Sequence, residues 1–332
     1  MVKYTNENVF YLSFKKKRVL KFKGITLWNR IPLSPKCKFI TEGGMYENTG
    51  HLIHDSIRKG GMDGDHVISK TPIYIKKSNS KIKKITGKSI YLGCFFNHYG
   101  HFITEGLSRF RISENYSQYD NILISPFVFD RGAINIKSFH EFFFECFKIP
   151  RDKIMILDND VKIESVVIPK QLWTINGDVD PLIKENYNLI RNCVEKNEEL
   201  SGRNFFISRR ENKNYQRISN IPEIESLMRE QGVEIIYAED LTIEEQLIIY
   251  KSANTIFTVS GSGAHNILFM CEGSKMVEIA DSRTPITPIR MQQLANIVAV
   301  ADYEFIPFKG DTNQKWNINS LENSVNAILN CI

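Results

Sequence analysis

The sequence predicts an α/β protein made of two domains. Its 332 residues exceed what one hydrophobic core ordinarily holds. From about residue 200 onward, short apolar runs alternate with amphipathic stretches over short connections, the pattern of a parallel sheet covered on both faces. Residues 1–90 lack that alternation and read as strand-rich and irregular.

Each element of the second half follows from local chemistry. "NFFISRR" (204–210) reads as a strand. "IPEIESLMREQG" (221–232) reads as a helix that Gly232 ends. "VEIIYAED" (233–240) is a strand, and "TIEEQLIIYKSA" (242–253) is an amphipathic helix capped by Thr242. "TIFTVS" (255–260) is a short buried strand, and "AHNILFMCEG" (264–273) is a helix closed by Gly273. Strand "KMVEIA" (275–280), helix "IRMQQLANIVA" (289–299), strand "YEFIPF" (303–308) and a last helix from about 318 complete a Rossmann-like half.

In the first half, 121–127, 153–158 and 161–169 read as strands and 139–149 as a helix. A helix over 186–200 is expected to bridge the halves. The division is therefore an N-terminal domain at 1–180 (strand-rich 1–90, α/β 90–180), a linker helix at 181–200, a Rossmann-like domain at 201–312 and a C-terminal helix at 313–332.

Hydrophobic content of 42% and aromatic content of 11% are those of a globular chain. The net charge of +5 is uneven. Residues 1–38 carry ten Lys/Arg, including the run Lys15 to Arg18, against the single acid Glu7, so the remainder nets −4. Residues 70–88 add seven Lys and no acid. Such a region is either a solvated surface or one drawn to an anionic membrane face or an acidic polymer. Nucleic acid is not expected as a partner, because no stacking motif or recognition helix accompanies the charge. Six cysteines with no CxxC argue against a zinc site or a disulfide framework and suit a reducing cytoplasm. The opening residues lack a basic stretch followed by an unbroken apolar one, so no secretory leader is expected. The longest uncharged run, 252–271, is too rich in Asn, Ser, Gly and His for a membrane helix, so any membrane contact is expected to be peripheral.

Three features fall where ligands bind in open α/β sheets, beyond the carboxyl ends of strands. Arg209, Arg210 and Arg217 follow the strand at 204–208 and offer forked cations suited to a diphosphate. "SGSGAHN" (260–266) lets backbone N–H groups of Gly261 and Gly263 approach an anion, and equally fits a tight turn. It is neither a dinucleotide fingerprint nor a Walker loop nor a nucleophile elbow. Glu278, near a strand end, is either a ribose ligand or a solvated acid. In the first half, "YGHFITEGLSRF" (99–110) sets His101, Glu105 and Arg109 four apart, on one face of a helix. That row is either a salt-bridge ladder or the wall of an active site in which Glu105 takes a proton. His51, His54 and Asp55, and the Asp-x-Asp pairs at 63/65, 158/160 and 178/180, are too common as patterns to assign to a metal.

In order, "NHYGHFITEGLSRF", "FISRRENKNYQRISNIPEI", "EEQLIIYKSANTIFTVSGSGAHNILFM" and "VEI" resemble glycosyltransferase family 61, over roughly residues 90–310. The resemblance implies two Rossmann-like domains of the GT-B type facing a cleft. It also implies an inverting mechanism, a nucleotide-sugar donor, usually a UDP-sugar, and no essential metal or other cofactor. It matches Gly100, His101, Phe102, Glu105 and Arg109 to one motif, and Asn97, His98 and Arg109 are expected to bind the acceptor or shape the site. It matches Arg209, Arg210, Arg217 and Asn220 to the arginine segment, and Ser260, Gly261, Ser262, Gly263, His265 and Asn266 to a loop that normally opens His-Gly-Ala-Gly. Here Ser260 stands where that histidine would be. Glu105 is the first choice for general base and His101 its partner or alternative. The expected acceptor is a glycan or lipid-linked glycan. The Lys-, Asn- and Ile-rich composition hints at a bacterial, AT-rich genome and a capsule or lipopolysaccharide product made at the inner membrane face. A non-catalytic nucleotide-sugar-binding subunit of an assembly complex is the alternative.

Overall fold

The computed structural model describes residues 44–47, 49–58, 83–127, 135–174, 177–210 and 218–330, together with the backbone of four short strands before them. The chain divides into two compact units, Met1–Asn186 and Tyr187–Ile332. Among the described residues no helix is long and apolar enough to cross a membrane.

The first unit contains strands β1 (Val2–Tyr4), β2 (Val9–Leu12), β3 (Leu20–Lys21), β4 (Lys38–Phe39), β5 (Gly44–Tyr46), β6 (Lys83–Phe95), β7 (Asn121–Pro126), β8 (Ile154–Ile156) and β9 (Val161–Ile168). Seven of them form one mixed sheet in the order β5-β2-β9-β6-β7-β8, with β1 also on β9, while β3 and β4 pair separately. The four strands β9, β6, β7 and β8 run parallel, and β1, β2 and β5 join antiparallel. One face buries Met45, Ile85, Tyr91, Leu123, Ile163 and Val166. Helix α1 (Tyr99–Thr104) follows β6 after three residues. Helix α2 (Ser138–Cys146) packs Phe139, Phe143 and Phe144 around Phe95, Phe102 and Phe110.

The central strand β6 is the element that periodicity does not reveal. Its register shifts twice, between Ile85 and Lys88 and again between Tyr91 and Cys94, so alternation is broken where it would have to be read. The second bulge has a cause. Gly93 sits at φ 90°, and a Cβ there would lie 2.6 Å from Arg109 Cδ. Glycine is needed both for the backbone and for the space that the arginine stem fills.

Helix α3 (Ile183–Asn192) spans the division between the units. It starts earlier than the expected 186–200 helix and stops sooner, before a 3-10 turn at Glu198–Leu200. Lys251 Nζ donates to the Arg191 and Val194 carbonyls at 2.8 and 2.7 Å, which satisfies the helix end from outside.

The second unit holds β10 (Asn204–Ser208), β11 (Glu234–Tyr237), β12 (Thr255–Val259), β13 (Lys275–Ile279) and β14 (Asp302–Ile306) in one all-parallel sheet, order β11-β10-β12-β13-β14. Helices α4 (Ile221–Glu230) and α7 (Ile318–Leu329) cover one face over Phe206, Phe257, Val277, Ile279 and Trp316. Helix α5 (Ile243–Ser252) begins at the cap expected at Thr242, which exchanges hydrogen bonds with Glu245 as a capping box. Helix α6 (Arg290–Val298) links β13 to β14. The helix expected at 264–273 is instead a six-residue 3-10 turn, Ala264–Phe269, buried throughout. Arg191 Nη1 binds the Leu268 carbonyl at 2.9 Å, near where an α-helix would have continued.

Replacing Gly93 with Ala is expected to lower unfolding free energy by about 2 kcal/mol or more. About 1–2 kcal/mol comes from the left-handed backbone and the rest from displacing Arg109. Urea denaturation of the two proteins measures it.

Candidate functional site

The first unit gathers its chemistry around α1. The helix gives way after Thr104 to a 3-10 turn at Gly106–Arg109, with Glu105 between them. In an α-helix, residues four apart are offset by about 40°, but at three residues per turn the offset is about 120°. The expected single row therefore splits. His101 Nδ1 lies 2.7 Å from Glu105 Oε1, while Arg109 turns away and donates to the carbonyls of Pro169 at 2.5 Å and Ile57 at 3.0 Å.

The cation that Glu105 does meet is Arg58, which no sequence pattern marks. Arg58 Nε donates to Oε2 at 2.7 Å and Nη2 to Oε1 at 2.8 Å, a forked pair between side chains 7% and 1% exposed. Its guanidinium lies 5.3 Å from the Phe96 ring centre and 5.0 Å from that of Phe127. Burial alone would raise the Glu105 carboxyl. The charge of Arg58 and hydrogen bonds from His101 and Arg58 outweigh it, and the pKa sits below the ordinary value. A carboxylate only accepts, so the proton of the His101–Glu105 bond is on Nδ1 and Nε2 is the basic nitrogen of the neutral ring. The His101 ring stacks on Phe96 and is 22% exposed at its side chain.

Arg109 is 3% exposed. By holding the Ile57 carbonyl it fixes the residue beside Arg58. Behind the pair is a cavity of about 10 Å³ lined by Arg58, Cys94, Glu105, Arg109 and Gln171, room for one water at most. His140, fully buried, secures the turn before α1. Its Nε2 donates to the Phe96 carbonyl at 3.0 Å and its Nδ1 accepts from Lys137 N at 2.9 Å. Asn97 Oδ1 accepts from Asn135 N at 3.1 Å, and the Asn97 carbonyl accepts from Lys137 Nζ at 3.0 Å. Asn97 is thus spent on structure, whereas His98 is exposed and edge-on to His101 at 5.4 Å.

In the second unit, the strand order runs one way from β10 to β11 and the other way from β12 to β14. The switch point therefore lies between β10 and β12. Arg209 follows β10 there, and the 260–266 loop follows β12. Gly261 holds a φ of 146°, a backbone that suits glycine. Among the described residues the N–H groups of Gly261, Ser262 and Gly263 donate to no protein acceptor, so three successive donors are open at the switch point. Tyr250 pins the loop from α5. Its hydroxyl reaches the Gly263 carbonyl at 3.5 Å and the Asn266 side chain, and burial pushes its pKa up to about 12.

A family model for Glycosyltransferase 61 matches residues 99–277, more than half of the chain. This chain belongs to glycosyltransferase family 61. Membership brings glycosyl transfer, with a sugar donor and an acceptor glycan. No curated protein matches the chain.

Arg209 is exposed, His101 and Gly261 to Gly263 are half-buried, and Ser260, His265 and Asn266 are buried. Glu105 itself is 1% exposed with both oxygens engaged, so His101 is the more exposed of the two. Arg210 is paired with Asp240 and lies 5.0 Å from the Tyr237 ring centre. Asn220 binds the Trp316 main chain through both side-chain atoms and so braces that segment. Glu278, expected at a ribose, is 1% exposed and faces inward to Ser260 and Tyr303. The sheet is covered on both faces, so the side opposite Val277 and Ile279 is no freer than theirs. Arg217, Asp63, Asp65 and most of the basic N-terminal region lie outside the described residues. Among the described residues no three His, Cys, Asp or Glu side chains are grouped to hold a metal.

His140 gives a pH prediction. Burial lowers its pKa from 6.5 to about 4, the carbonyl of Phe96 opposing only in part. The unfolded chain takes the proton first, so the His140 contribution is full above about pH 6.5 and is lost as pH falls toward 4. His140→Asn is expected to flatten the fall in stability between pH 6.5 and 5, measured by urea unfolding across that range.

Proposed function

We propose that the protein is an inverting glycosyltransferase using a nucleotide-sugar donor, with His101 as the general base and Glu105 as the group that orients it. The observation that carries this reading is the 2.7 Å His101–Glu105 bond with the carboxylate locked by Arg58. It leaves Nε2 as the basic atom on the more exposed member of the pair. In a single displacement the acceptor oxygen bonds to the anomeric carbon, its proton passes to His101 Nε2, and the bonding pair departs with the diphosphate. Charge develops on that leaving group. The three open N–H donors of the 260–266 loop and the Arg209 cation, set at the switch point of the parallel sheet, are suited to receive it without a metal.

The two units thus divide the work, one activating the acceptor and the other gripping the donor, in the GT-B manner the resemblance implies. A UDP-sugar is the first donor to test. A surface polysaccharide or lipopolysaccharide is the acceptor class we propose, with the enzyme at the cytoplasmic membrane face. The oriented imidazole favours catalysis over a purely binding role.

His101→Asn is expected to lower kcat by about 10²–10⁴ while changing donor KM little. Glu105→Gln should lower kcat as well, because it removes the carboxylate that fixes the tautomer. Normal turnover by His101→Asn would sink the base assignment. Hydrolysis of a UDP-sugar by the purified chain, followed by released UDP, is expected to be unchanged by EDTA. Loss of hydrolysis on chelation, restored by a divalent ion, would overturn metal independence.

A further inference from the structure

Six side chains in the second unit connect into a circuit, and four of them lie beyond the segment that the family model matches. His265 Nδ1 meets Gln292 Oε1 at 2.6 Å. Gln292 Nε2 donates to Asn296 Oδ1 at 2.7 Å. Asn296 is hydrogen-bonded to the Tyr303 hydroxyl, which itself donates to Glu278 Oε2 at 2.6 Å. Ser260 Oγ donates to Glu278 Oε1 at 2.5 Å. The loop from Ser260 to His265 closes the ring.

The donors all run toward one carboxylate. Since the Tyr303 proton goes to Glu278, Asn296 must donate to the phenol oxygen through its amide nitrogen. Its oxygen is then the acceptor for Gln292, whose own oxygen faces His265, so His265 carries its proton on Nδ1. Bonds aligned this way polarise one another, and each buried group depends on the next. Gln292, Glu278, Ser260 and His265 are all at most 3% exposed, so breaking one bond strands a buried polar atom.

We propose that this ring holds the glycine loop in the shape that receives the donor diphosphate. Tyr303, Asn296 and Gln292 are then positioning residues for donor binding. The inference rests on the donor reading given above. It also accounts for Ser260 in place of the loop's usual first histidine. A small hydroxyl lets the loop start dock directly on Glu278, while the histidine at position 265 ties down its end.

Hydrogen exchange of the full chain, without ligand, tests the clamp. Tyr303→Phe and Gln292→Met each remove bonds without leaving a large void. In each, amides across 261–269 are expected to exchange about tenfold faster, with the melting temperature within about 5 °C of the parent. The double variant should loosen the loop little more than either single one, because one circuit is broken once. Unchanged loop exchange in both single variants would overturn the clamp. Calorimetry with UDP, GDP, CDP and dTDP tests the consequence. The affinity of whichever nucleotide binds the parent should fall about tenfold, and donor KM should rise while kcat stays within about threefold. A loosened loop with unaltered nucleotide affinity would overturn the positioning role. Failure of the parent to bind any of the four would count against the donor reading, and the exchange data would still decide the clamp.

Discussion

The buried ion pair between Arg58 and Glu105 is the constraint around which the first unit is arranged. Removing two charges from water costs several kcal/mol per ion, and attraction repays this only when geometry is good and the remaining lone pairs are satisfied. Both conditions hold. The fork gives two bonds under 3 Å, His101 supplies a third to the carboxylate, and two phenylalanine faces enclose the guanidinium. Losing one partner would leave the other as an uncompensated buried charge. The fold guards against that by fixing each side separately. Arg109 holds the Ile57 carbonyl, and His140 holds the Phe96 carbonyl.

This arrangement explains why three residues at equal spacing have three different tasks. The change from α to 3-10 geometry after Thr104 leaves His101 and Glu105 on one face and sends Arg109 inward to main-chain carbonyls. An acid, a base and a cation on one continuous helix face would have formed a ladder, with Arg109 competing for Glu105. Turning Arg109 aside reserves the carboxylate for the imidazole and for a cation brought from 47 residues away.

How much of this is readable from sequence follows the physics of each part. The second unit was legible because its strands and helices alternate with little interruption and its caps are local, as at Thr242 and Gly232. The first was less so, because β6 carries two register shifts and the antiparallel strands of its sheet, β1, β2 and β5, are short and without a pattern. The His101–Glu105 contact was legible because it is local. Arg58 was not, since nothing around it in sequence signals a partner so far along the chain. Glu278 was misread for a different reason. Its place near a strand end suggested a ligand, but direction decides. Val277 and Ile279 face the core under α4 and α7, so Glu278 points to the opposite face, where α6 and the 264–269 turn cover it.

The two units also manage charge in opposite ways. In the first unit a carboxylate is held ionised inside an aromatic shell by a permanent cation, and the neighbouring imidazole is the base we propose. In the second, no side-chain cation among the described residues is buried at the glycine loop. On the donor reading proposed above, attraction for an anion comes from backbone dipoles at the switch point and from Arg209 at the surface. Backbone donors cannot swing to follow a ligand, so their usefulness depends on a loop that keeps its shape when empty. A glycine-rich segment does not do this unaided, because the freedom that lets it approach an anion also lets it collapse or splay. The order must come from side chains packed behind it. Here those are Tyr250 on one flank and Glu278, reached through Ser260, on the other. The inward turn of Glu278, which removes it as a direct ligand, is thus what gives the loop its fixed form.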